Sequence, residues 1–200
     1  MVRSRWLEGR TMRIYRDCLM IWTDNAVIQI FLPIISGTLT ANGFTGVTVK
    51  QANQPTQQGI QTNPAVYFFK VAQKRYGFLG RLDTWDSGDE EMVHNESQYI
   101  ESTWQVSALV LQSPATPNQY TASDLVNEVA SIMQSDATRD ILNQSNIGIL
   151  RVKDLVNPYF VDDRDNFEAA PSFDFVLTYE NIRPSTNPII STFNSNIIGV

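Results

Sequence analysis

The stretch that most constrains the fold is Phe173 to Glu180, where Phe173, Phe175, Leu177 and Tyr179 alternate with Asp174, Val176, Thr178 and Glu180. Side chains of an extended strand point alternately to its two faces, so this period of two marks a strand with one apolar face. That face has to be covered by a second layer. Ile182 carries the pattern on toward Pro184. Tyr99 to Leu111 repeats the arrangement, with Trp104, Val106, Ala108 and Val110 opposite Gln105, Ser107, Leu109 and Leu111. Two half-buried strands therefore anchor the reading, and the other segments are fitted around them.

Ala65 to Tyr76 is apolar on both sides, through Val66 and Phe68 on one face and Tyr67, Phe69 and Val71 on the other. This predicts a strand buried on both faces or facing a partner subunit. Leu79 to Trp85 forms a further strand, Val47 to Lys50 a short extended piece, and Ile147 to Val156 another strand candidate. Gln51 to Pro64 and Ser113 to Asn118 are rich in turn-forming residues and connect these segments.

Two helices stand out. Thr23 or Asp24 can cap the first, in which Val27, Ile28, Phe31, Leu32, Ile35 and Leu39 recur at helical spacing. Pro33 predicts a kink or a break there, and Asn42-Gly43 supplies a left-handed C-terminal cap. Thr121 with Asp124 opens the second in the manner of a capping box, followed by Leu125, Val126, Val129, Ile132 and Met133. A shorter helical piece covers Ala137 to Asn143. The order predicts an α+β fold: an antiparallel sheet of four to five strands with two main helices packed on one face. The expected domain is residues 21–184, between an arginine-rich arm at 1–20 and a polar tail at 185–200. Met12 and Met20 are alternative starts, so the arm is read as an upstream extension; a peptide covering Val2 to Arg10 in the native protein would rule that out.

Composition narrows the function. A net charge of -6 over 200 residues leaves no basic stripe, which argues against phosphate neutralisation as the main task. The basic cluster Arg3, Arg5, Arg10, Arg13 and Arg16 reads as an exposed arm. Cys18 is the only cysteine, so no intrachain disulfide forms. The apolar run from Ala26 to Ile35 is too short to span a bilayer, and no membrane association is expected. Abundant neutral polar residues suit a surface in contact with other proteins.

A search for chemistry returns little. His94, the only histidine, lies in an acidic segment and reads as an exposed neutral side chain without the nucleophile or orienting carboxylate that catalysis needs. Asp162, Asp163, Asp165 and Glu168 resemble a calcium loop but lack the glycine and the terminal Glu spacing. Asn95-Glu96-Ser97 and Asn143-Gln144-Ser145 read as chance matches to the glycosylation pattern, and Gly77 to Gly80 is too short to cradle phosphate. No catalytic residue, metal or cofactor is assigned, and the chain is read as not an enzyme. The aromatics Tyr67, Phe69, Trp85 and Trp104 read as core or subunit interface, with a small-ligand or carbohydrate-binding module as the alternative. What remains is Asp86 to Ser97, a long acidic loop between two strands that carries Asp86, Asp89, Glu90, Glu91 and Glu96. Hairpin loops are usually far shorter, so an excursion of this kind is a functional candidate.

The order of segments resembles the phage neck terminator family, related in role to the tail terminators of long-tailed bacteriophages. The helix from Asp24 to Thr40 leads into Gly43-Phe44-Thr45-Gly46 and Val47 to Pro55; Pro64 to Phe68, Gln98-Tyr99 and Trp104-Gln105-Val106 follow. Ser123 to Met133, Ile147-Gly148-Ile149, Phe167 to Ala170 and Phe173-Asp174-Phe175 complete the match, which spans roughly Asp24 to Ile182. Ala169-Ala170 stands where the family often has an arginine, so an ion pair made there is not expected here. The resemblance implies a virion structural protein of the neck/tail junction that assembles in the host cytoplasm. It would form a homo-oligomeric ring, expected to be a hexamer, that ends the tail tube. Its partners would be tube and sheath proteins on one side and head-completion proteins on the other, with DNA passing through the channel without specific binding. In such a ring, Asp86, Asp89, Glu90, Glu91 and Glu96 would make subunit contacts or line the lumen.

Overall fold

A computed structural model of the chain describes residues 22–52, 64–86, 88, 91–111, 118–161, 167–169 and 171–188. Helix α1 runs Asp24–Ala41 without interruption. Thr23 Oγ1 accepts from the Ala26 amide at 3.2 Å, and Asp24 places a negative charge at the positive end of the helix dipole. Val27, Ile28, Phe31, Ile35 and Leu39 form its buried stripe. Pro33 neither ends nor splits the helix: it lies on the exposed side, where water can bond the carbonyl one turn back that its ring leaves free. The helix closes as the sequence predicts. Gly43, at φ +90°, donates to Thr40 O, and Phe44 N donates to Leu39 O at 2.9 Å, the paired bonds of a Schellman cap.

Strand β1 (Thr48–Gln51) pairs in parallel with the start of β2 (Ala65–Asp86). Strand β3 (Glu91–Leu109) follows a four-residue connection, too short for anything but an antiparallel hairpin. Helix α2 (Ala122–Gln134) opens on a full capping box: Asp124 N donates to Thr121 Oγ1 at 3.1 Å, and Thr121 N donates to Asp124 Oδ2 at 2.8 Å. Ser135 ends α2 and caps α3 (Asp136–Gln144) through its hydroxyl. Strand β4 (Ile147–Val152) precedes the small pair β5 (Tyr159–Val161) and β6 (Phe167–Ala169), and β7 (Ser172–Pro188) is last. The sheet order is β1-β2-β3-β7-β4, with β4 antiparallel to β7. The α+β class and five-stranded sheet are as expected, but the sheet is mixed because β1 runs parallel to β2.

Two segments differ from expectation. Ala65 to Trp85, expected as two strands separated at Gly77, is one strand. Gly77 adopts φ +73°, a backbone state that a side chain disfavours, so the strand turns over a glycine rather than stopping at it. The expected loop Asp86 to Ser97 is mostly strand: β2 continues to Asp86, β3 begins at Glu91, and only residues 87–90 connect them.

The chain divides into two units. The first comprises Trp22–Tyr76 and Tyr99–Glu180 and holds the core. Phe31 of α1 sits 5.1 Å from Phe68 of β2, 5.8 Å from Trp104 of β3 and 5.9 Å from Phe175 of β7. One helical residue thus touches three adjacent strands, and aromatic pairs of this kind add about 0.5–1.5 kcal/mol each beyond their buried area. Leu125, Val126, Val129 and Met133 of α2, with Leu142 of α3, complete the same cluster. The second unit comprises the outer stretches Gly77–Gln98 and, among the described residues, Asn181–Pro188.

Candidate interaction surface

Among the described residues no three side chains are grouped to hold a metal, and no helix is long and apolar enough to cross a membrane. The functional candidate is a surface, the ribbon formed by the outer part of the β2–β3 hairpin.

Three observations fix its register. Arg81 Nη2 lies 3.5 Å from Glu96 Oε1, His94 Nδ1 lies 2.8 Å from Asp83 Oδ1, and a Cβ added at Gly80 would stand 2.7 Å from Ser97 Oγ. Each step of two along β2 thus meets a step of two back along β3, so Trp85 lies across from Met92 and Leu82 from Asn95. One face carries Leu79, Arg81, Asp83 and Trp85 with Met92, His94 and Glu96. The other carries Phe78, Gly80, Leu82 and Thr84 with Val93, Asn95 and Ser97. A side chain at Gly80 would meet Ser97 Oγ, which would have to turn away to admit it.

The ribbon is unusually apolar for a surface element. Phe78 is 101% exposed, Trp85 52% and Leu82 45%, with Leu79 and Met92 exposed as well. Groups of exposed large hydrophobics in a small region mark contact surfaces more often than isolated ones do. The charges among them are paired across the strands, but the pairs are solvated and each contributes little to stability.

The predicted acidic residues are distributed along this ribbon. Asp86 closes β2 and its Oδ1 accepts from the Gly88 amide at 2.8 Å, a local bond that shapes the turn. Glu91 opens β3, and Glu96 stands lower on the strand beside Arg81. Asp89 and Glu90 lie outside the described residues, as do the arm at 1–20 and Asp162, Asp163 and Asp165. His94, expected on a solvated loop without a carboxylate, is instead a strand residue bonded to Asp83. Of the four aromatics, Trp104 is fully buried and Tyr67 and Phe69 are half-buried, while Trp85 alone is exposed. Of a platform built from these four, only Trp104 is lost to the core. The sequence reading overlooked Phe78, Leu79, Leu82 and Met92; the signal available was the alternation continuing from Leu79 through Trp85 beyond the glycine.

Elsewhere the polar residues stabilise the fold. Lys70 bridges to Asp24 at 2.6 Å, Asn42 donates to Glu128 at 2.6 Å, and Asp174 accepts from Lys153 at 2.9 Å and from Gln105 at 3.1 Å. The backbone and side-chain bonds from Thr121 hold the Asp124 carboxyl below its ordinary range. Burial pushes the Tyr179 and Tyr120 phenols up.

A sheet backed by helices, with an exposed apolar and acidic ribbon, presents a surface suited to contact with other proteins. Over residues 26–189 the chain matches, and belongs to, the family of the E217 gateway protein gp29. No curated protein matches the chain in sequence. Among solved structures it is similar to the sheath/tube terminator of an extracellular contractile injection system, PVC, in its extended state, with 10% identity and a TM-score of 0.44. That similarity covers 90% of this chain and 64% of the terminator chain, so this chain spans under two thirds of that protein. It is too distant to carry an argument.

Proposed function

We propose that the protein is the ring-forming terminator at the tail end of a long-tailed phage. Six copies close a ring that ends the tail tube and joins it to the head-completion complex. The observation that carries this reading is membership of the gateway-protein family over most of the chain. Tube and sheath proteins contact one side of the ring, and neck proteins the other. Assembly takes place in the host cytoplasm, and no cofactor takes part. DNA passes through the channel without specific binding. The net charge of -6 supports this, since basic residues in a channel would hold phosphates that must slide.

In this ring, Asp86, Asp89, Glu90, Glu91 and Glu96 form the subunit-contact or lumen-lining element. The position of Asp86 and Glu91 on either side of the hairpin turn supports it, because such a turn can reach a neighbour or an axis. Cryo-EM of the intact tail end tests the reading. The expected result is a six-fold ring with Asp86, Glu91 and Glu96 at a subunit boundary or in the channel. A ring in which these carboxylates point outward into solvent would remove their assigned role, and no density for the protein at the tail end would remove the ring.

A further inference from the structure

Among the described strands, one edge of β2 is unpaired from Gly77 to Trp85. Strand β1 pairs only with Ala65 to Phe68, and the last bond on that side runs from the Ala52 amide to Phe68 O at 2.8 Å. The neighbours of β2 in the sheet are β1 and β3 alone, so among the described strands nothing pairs with the outer edge from Gly77 to Trp85. An open edge presents a row of amides and carbonyls ready to pair with another strand. Gly77 to Trp85 carries neither proline nor lysine, two of the residues that commonly blunt such edges.

What it would pair with is written in its own residues. Read outward from Leu82, the strand is chemically palindromic: Arg81 and Asp83 are opposite charges, Gly80 and Thr84 are small, and Leu79 and Trp85 are large and apolar. An antiparallel contact between two identical strands about a two-fold axis at Leu82 places Arg81 of each copy across from Asp83 of the other. It also places Leu79 across from Trp85, and Leu82 across from itself. Isologous contacts require this self-complementarity, and direct cross-strand pairs are what stabilise a sheet. The cross-strand partners extend the match: Glu96, Arg81, Asp83 of the second copy and its His94 fall in one row of alternating acidic and basic groups. Arg81 and Asp83 keep 74% and 58% of their side-chain surface exposed, so each can take a second partner.

We infer that two copies of this chain join through β2, edge to edge and antiparallel, across Leu79 to Trp85. The contact is two-fold, so it differs from the head-to-tail contacts that close a ring, and it does not depend on the proposed terminator role. It gives unassembled subunits a dimer that covers the open edge.

Sedimentation of the full-length chain tests this with two single charge reversals. Asp83→Arg and Arg81→Asp each set like charges across the axis and are expected to weaken self-association by about tenfold or more. Mixing the two variants restores a 1:1 dimer, because the copy with arginine at both charged positions then meets the copy with aspartate at both. A loss caused by a disturbed ribbon would not be repaired by mixing, and that result would overturn the inference, as would a wild-type chain that stays monomeric. A second measurement is disulfide trapping in a Cys18→Ser background. Leu82→Cys is expected to form a covalent dimer on mild oxidation, since directly opposed antiparallel residues have Cα atoms about 4.5–5.5 Å apart. Thr84→Cys is not, because it stands across from Gly80. Equal trapping at both positions, or none at Leu82→Cys, would overturn the register.

Discussion

Strand β2 is two strands in its chemistry. From Ala65 to Phe68 it has a neighbour on each edge, and Ala65, Val66 and Phe68 are fully buried. From Gly77 to Trp85 it has, among the described strands, a neighbour on one edge only, and Phe78, Leu79, Leu82 and Trp85 face water. Strand β3 repeats the contrast: Ile100, Ser102, Trp104, Val106 and Ala108 are buried on alternate positions, while Glu91 to Gln98 are at most half-buried. The inner parts obtain their stability from α1, whose Phe31 touches β2, β3 and β7. The outer parts have apolar side chains of the same kind, but within the described residues no layer covers them. Hydrophobic groups alone do not distinguish a core from a contact surface; what packs over them does.

Truncation in the two regions should separate them most clearly. Phe31→Ala removes the ring shared by Phe68, Trp104 and Phe175 and is expected to cost about 3–5 kcal/mol, read as a fall in the denaturant midpoint. Phe78→Ala should change stability by no more than about 0.5 kcal/mol, because that side chain leaves no cavity. Equal losses at both positions would erase the contrast.

A smaller effect is expected at the α2 cap. Thr121→Ala removes the capping box and should cost about 1 kcal/mol. The same cap sets a pH dependence. The folded carboxyl of Asp124 is held below its unfolded value, so the folded state binds fewer protons there. Its stabilising contribution is present above the unfolded pKa and is lost as pH falls through the folded one. Asp124→Asn should flatten the acid limb of the stability profile; an unchanged limb would show that Thr121 does not hold the carboxylate.

Another small energetic effect sharpens the comparison, together with dynamics. Arg81→Ala should alter stability by about 0–1 kcal/mol, as expected of an exposed ion pair. In wild-type protein, amides of Glu91 to Glu96 should exchange faster than those of Trp104 to Ala108, since the former lack buried apolar contacts. Matching protection along the whole of β3 would mean that the ribbon is covered in solution.

The inner region was legible because each strand there has one apolar and one polar face. Trp104, Val106 and Ala108, and likewise Phe173, Phe175 and Leu177, read at once as strands. The capping residues Thr23, Thr121 and Asn42-Gly43 marked the helix ends to within a residue. The ribbon was not legible for a physical reason. Glu91 to Gln98 alternate, but neither face is consistently apolar, and period-two reasoning needs one face to be buried. The two strands expected at Ala65 to Tyr76 and Leu79 to Trp85 are continuous because the positive φ of Gly77 lets the strand carry on between them. The parallel pairing of β1 left no trace in a four-residue segment. Asp86 and Glu91 were read as parts of a loop; that they close and open strands depends on backbone pairing that no side-chain pattern there reports.

The central claim is that this chain acts as a structural component of the phage tail end. Negative-stain imaging of particles assembled without the protein tests it most directly. The account predicts tails of uncontrolled length, or heads and tails left unjoined. Normal virions with tails of regular length would contradict it.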